Sequence, residues 1–163
     1  METLIDNNPA HIPDRKIRTG IFVVGTICGL SYIGFFLLMS ALGLMHVTEL
    51  RVFNYIVLVG ATFLMLRKWI AETHHYIPFL KVVATAFFTG LWSFILLAAF
   101  MYVYSFYNRE LYDLFILKTA GTFNSWPQFV VLFEGAGASI VTAFFMMQYF
   151  RRYEDGRPYP ENK

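Results

Sequence analysis

Hydrophobic positions in this chain fall into long blocks, with neither a helical stripe nor a strand-like alternation dominating. Residues 20–45 contain no charged side chain, and neither do residues 82–107. A third block, 52–66, is shorter and is completed by Trp69 at one end and by residues 47–50 at the other. The fourth, 127–150, is interrupted by one carboxylate, Glu134. A helix rises about 1.5 Å per residue and needs about 20 residues to cross about 30 Å of hydrocarbon. The blocks therefore predict four transmembrane helices, at about 20–45, 50–69, 82–107 and 127–150. The chain of 163 residues reads as a single membrane domain.

The segments between the blocks predict how the spans connect. The connection at 46–51 barely turns the chain, so the first two spans should pack as an antiparallel hairpin. The loop at 67–81 carries His74, His75 and Pro78. The longest loop, 108–126, mixes Leu111, Tyr112, Leu114, Phe115 and Leu117 with Glu110, Asp113 and Lys118. It reads as a short interfacial helix between spans three and four. Pro127, after Asn124 and Ser125, opens the last span with a polar cap and a first-turn proline. The first block is too long for a signal peptide, and the nineteen residues before it contain acids and prolines. Asn7-Asn8-Pro9 and Ile12-Pro13 make residues 1–19 an irregular tail.

Charge fixes an orientation. With the amino terminus inside, ten cations face the cytoplasm: Arg15, Lys16, Arg18, Arg67, Lys68, Lys81, Arg151, Arg152, Arg157 and Lys163. Three face out: Arg51, Arg109 and Lys118. Such asymmetry over short loops predicts an N-in/C-in protein with cytoplasmic tails at 1–19 and 151–163. Tyr102, Tyr104, Tyr107 and Trp126 read as the outer aromatic belt, and Trp69, Tyr76, Tyr149 and Tyr153 as the inner one. Only 15% of residues are charged and 57% are hydrophobic, against about 25% charged in a soluble domain. The net charge of +2 gives no reason to expect nucleic acid as a partner.

Candidate chemistry is sparse. His46 sits at a span edge and His11, His74 and His75 lie in predicted cytoplasmic segments, which argues against paired-imidazole haem ligation. Adjacent His74 and His75 diverge by about 100° on a helix and lack a companion ligand, a poor metal site. No lysine lies within a span, and no nucleophile elbow, Walker loop or dinucleotide turn occurs. The single cysteine, Cys28, reads as a small buried hydrophobe. No cofactor is predicted.

Small residues mark where helices should meet, because close approach replaces the hydrophobic driving force inside lipid. Gly25 and Gly29 in span one, Thr85, Thr89 and Ser93 in span three, and the run Gly135-Ala136-Gly137-Ala138-Ser139 in span four are the expected contact faces, within the bundle or between protomers. Glu134 stands out: a charged acid at mid-membrane costs about 2.5 to 3.5 kcal/mol on insertion scales. It should point into the bundle beside Gly137 and Ala138, at the depth of Ser40, Tyr102 and Asn54. It reads as an interhelical hydrogen-bonding group or as a proton or cation site.

The stretch Tyr76-Ile77-Pro78-Phe79-Leu80-Lys81, leading into Phe87-Phe88-Thr89-Gly90-Leu91 and out through Tyr102-Val103-Tyr104, resembles an uncharacterised domain-of-unknown-function family of bacterial four-span inner-membrane proteins. Basic residues after a fourth span, here Arg151 and Arg152, belong to the same pattern. The resemblance implies the four-span layout and an inner-membrane location, and no activity. The sequence thus points to a membrane accessory subunit acting through helix contacts, in a homo-oligomer or a larger complex. A small oligomeric proton or cation transporter using Glu134 is the alternative, and a membrane enzyme or redox subunit is a weaker third.

Overall fold

A computed structural model describes residues 14–44, 52–73, 79–107 and 127–151, and these residues are helical apart from the turn that follows the first helix. The elements are α1 (Asp14–Ala41), α2 (Val52–Thr73), α3 (Phe79–Tyr107) and α4 (Pro127–Arg151). All four are long and apolar enough to cross a membrane. The predicted interfacial helix at 108–126 and all four histidines lie outside the described residues.

The ends of α1 differ from the limits of its apolar block, for local reasons. The helix starts at Asp14, so Arg15, Lys16 and Arg18 stand on helical turns and not on an irregular approach. Asp14 places a carboxylate on the positive N-terminal end of the helix dipole. It also accepts from Lys81 Nζ at 2.7 Å, tying the start of α1 to that of α3. At the other end the helix stops at Ala41, short of the apolar block's limit. Gly43 adopts φ 68°, which glycine tolerates without a Cβ clash. Leu44 N–H reaches back to the Met39 carbonyl at 3.0 Å and Gly43 N–H to that of Ser40 at 3.2 Å, closing a Schellman cap.

Side-chain pairings give each helix its direction. Gly25 and Gly29 of α1 meet Thr89 and Ser93 of α3, so these two helices run parallel. Gly90 meets Ser139 and Gly135 meets Phe94, so α3 and α4 are antiparallel. Phe35 stacks on Phe53 at 4.7 Å while Gly20 lies under Trp69, making α1 and α2 antiparallel. The four helices alternate in direction and put Arg15, Lys16, Arg18, Arg67, Lys68 and Lys81 at one end of the bundle, the basic end.

Helix α3 is central. It packs closely on both α1 and α4, which do not approach each other among the described residues. Helix α2 touches the other three at few points of close approach. The hairpin expected of spans one and two is therefore a contact, and α1's closest partner is α3. Loop length limits how far apart two helices can sit, whereas backbone approach is set by glycines, and those of α1 at 25 and 29 face α3.

Two apolar clusters stack along the bundle axis. One, toward the basic end, joins Met65, Leu66, Trp69 and Ile70 of α2 to Val82, Ala86, Ala143, Met146 and Phe150. Trp69 belongs to this core, at 7% exposure, and not to an interfacial belt. Gly20 makes that possible, since a Cβ there would overlap the indole. The second cluster, farther from the basic end, gathers Cys28, Tyr32, Leu58, Phe94, Leu97, Ala98, Met101 and Val131. Tyr102, Tyr107 and Tyr149 are exposed, as belt residues would be.

Candidate functional site

Glu134 lies seven residues into α4, about 10 Å along the helix from Pro127. Its side chain is half-buried, and Oε1 accepts a hydrogen bond from the hydroxyl of Tyr55 on α2. This bond ties α2 to α4, two helices with little close backbone contact.

All four helices contribute around this bond, with the Phe94 ring of α3 at the centre. Tyr32 of α1 tilts against Phe94 at 5.3 Å and Tyr55 does so at 6.5 Å. The residue after Glu134, Gly135, lies directly on the same ring, where any Cβ would overlap it. Gly135 thus brings the α4 backbone, and the neighbouring carboxylate with it, up to the core. Depth counting from the sequence reached this level through Ser40, Tyr102 and Asn54. Tyr55, whose hydroxyl bonds Glu134 Oε1, comes one residue after Asn54, a rotation of about 100° that depth cannot reveal.

The expected packing residues divide into those that meet another helix and one that does not. Gly25 faces Trp92 and the Thr89 carbonyl, where a Cβ would lie 2.9 and 3.0 Å away, and Gly29 faces Leu96 and the Ser93 carbonyl at 3.0 and 3.2 Å. Thr85, Thr89 and Ser93 are all buried on α3, and Gly135 and Ser139 are buried on α4. Gly137 is exposed, with nothing within 4 Å of the place a Cβ would occupy. Among the described residues it meets no other helix, because two residues beyond Gly135 the helix has turned by about 200°.

The buried hydroxyls bond mainly to their own helices. Thr89 donates to the Thr85 carbonyl at 2.7 Å, Ser93 to Thr89 at 2.6 Å and Ser139 to Gly135 at 2.6 Å. Each satisfies its donor within one turn and leaves a small surface for the neighbouring helix, as Ser139 does for Gly90. A polar bridge between α1 and α3 comes instead from Trp92, whose indole N–H donates to Thr26 Oγ1 at 3.1 Å while its ring meets Phe22 edge-on at 5.0 Å. Tyr55 and the Trp92–Thr26 pair were not singled out from sequence. The available signal was that an indole or phenol within a span seeks a polar partner.

Among the described residues, Asn54 Oδ1 and Thr62 Oγ1 are buried without a hydrogen-bond partner. Each such atom costs about 1 to 3 kcal/mol when kept from water. The Tyr32 hydroxyl lies beside Ser93. Asn54 and Thr62 are both on α2. Thr62, fully buried, lies seven residues after Tyr55 and so on the same face of that helix.

No protein-family model matches the chain, and no curated protein or solved structure does so either.

Proposed function

We propose that this protein is an N-in/C-in, four-span accessory subunit of a bacterial inner membrane, acting through lateral helix contacts in a homo-oligomer or a larger membrane complex. The ten-to-three division of cations supports the orientation. The observation that carries the functional reading is the outward notch at Gly137. Phe133 and Val141, one turn to either side, are exposed and bulky, and Phe144 continues the same stripe. A glycine between large side chains on an outer helix face is the shape into which a second membrane helix packs. Glycine in a helix interior otherwise costs about 1 kcal/mol relative to alanine.

A second reading, proton or cation movement through Glu134, is favoured by the Tyr55 hydrogen bond to a carboxylate inside an apolar span. One set of measurements separates the two. In mild detergent the unaltered protein should run as an assembly heavier than its 18.9 kDa protomer by native mass spectrometry. Gly137→Leu should dissociate it without changing the thermal midpoint, and Glu134→Gln should leave proton flux into liposomes unchanged. An unaltered protein that stays monomeric, together with flux that disappears in Glu134→Gln, would transfer the case to the second reading.

A further inference from the structure

The two halves of α2 are held in different ways. Its last turns, from Met65 to Ile70, sit in an apolar cluster with α3 and α4, and Trp69 covers Gly20 of α1. Its first turns contribute one fully buried apolar side chain, Leu58; Tyr55, Val57 and Ala61 are partly buried beside it, Phe53 stacks on Phe35, and Tyr55 donates to Glu134. The unpaired buried atoms of Asn54 and Thr62 lie in this same stretch. On α3 and α4, by contrast, Thr89, Ser93 and Ser139 are each satisfied by the carbonyl one turn back. Thr62 makes no such bond, and its oxygen stays without a partner in a side chain at 0% exposure.

We infer that α2 is the moving element of the bundle. It pivots on its Trp69 end and opens at its Asn54 end, admitting water behind the helix as far as Thr62. Opening breaks the Tyr55–Glu134 bond and gives water to the two unpaired atoms and to the carboxylate together. The closed arrangement leaves Asn54 Oδ1 and Thr62 Oγ1 unmet; the open one hydrates them, while the apolar cluster at the far end remains intact. The direction of opening follows from the order of residues along α2: polar Asn54 and Tyr55 come first, Thr62 two turns deeper, and the apolar anchor last. This movement does not rest on the lateral contacts proposed above, since it involves α2 and Glu134 and not the exposed Gly137.

The test is labelling of single cysteines by a membrane-impermeant maleimide on the full-length protein in liposomes, with Cys28→Ala as background. Thr62→Cys should react at least tenfold faster than Ser139→Cys, which is equally buried on α4. Adding Tyr55→Phe should raise the rate at Thr62→Cys at least threefold further. Equal rates at the two positions, or no response to Tyr55→Phe, would overturn the inference. Hydrogen–deuterium exchange of the unaltered protein in nanodiscs provides a measurement free of substitutions. Amides at 58–62 should exchange at least tenfold faster than those at 66–70, and equal protection would count against a moving α2.

Discussion

The seam joining α1, α3 and α4 and the surface that seats α2 solve the same packing problem by different means. Along the seam, backbones approach until glycine is required: Gly25 and Gly29 on one side of α3, Gly135 and Gly90 on the other. Buried hydroxyls there bond to their own helix, so the seam has few polar demands on its neighbours. Helix α2 is seated through larger side chains, Leu58, Met65, Leu66 and Trp69, and through the bond from Tyr55 to Glu134. Inside a membrane, where lipid tails are as apolar as leucine, dispersion between closely fitted surfaces is what separates protein from lipid contacts. A glycine seam gains from that fit along its whole length; a seat built of large side chains gains mostly where they interlock, near Trp69.

Substitutions can break this contrast, and the largest effect should come from the seam. Gly135→Ala puts a methyl group into the Phe94 ring and should destabilise the fold by about 1 to 3 kcal/mol, the usual cost of overpacking. Reversible unfolding in mixed micelles would measure it, and an unchanged midpoint would show that Phe94 can swing away. Next in size is Tyr55→Phe, which removes one interhelical hydrogen bond and should cost about 0.5 to 1.5 kcal/mol. By the same unfolding assay, a loss as large as that of Gly135→Ala would mean that α2 is held as firmly as the seam. The smallest effect, and of opposite sign, belongs to Gly60→Ala. Gly60 is exposed on α2 with nothing within 4 Å of its Cβ position. Alanine there should raise stability by up to about 1 kcal/mol through helix propensity alone. Destabilisation would instead reveal a helix docked on that face.

Much of the architecture could be read from the chain, because hydropathy blocks translate directly into four long helices. What stayed hidden was rotation. Helices α3 and α4 are apolar on nearly every side, so no polar stripe marks the outside, and five consecutive small residues from Gly135 to Ser139 look alike until the backbone is turned. Gly135 and Ser139 face α3 while Gly137 faces out. The same blindness left the bond from Tyr55 to Glu134 unread, since Asn54 and Tyr55 differ by one residue in depth and by about 100° in direction. Trp69 was misplaced for a related reason: a tryptophan near the end of a span looks interfacial unless the glycine beneath it, Gly20, is known to be there.

The central place of α3 has a consequence for how the molecule is made. Ribosomes deliver α1 first and α2 second, yet the surface that Gly25 and Gly29 offer belongs to a helix that does not exist until α3 emerges. During that interval α1 stands in the membrane with its docking groove empty, held beside α2 mainly by Phe35 on Phe53 and Trp69 over Gly20. Arrival of α3 fills the groove on α1, and α4 then closes on the opposite side. A chain truncated before α3 would display that vacant groove to whatever quality-control helix patrols the bilayer, which makes the third span, and not the last, the point at which a nascent molecule becomes recognisably complete.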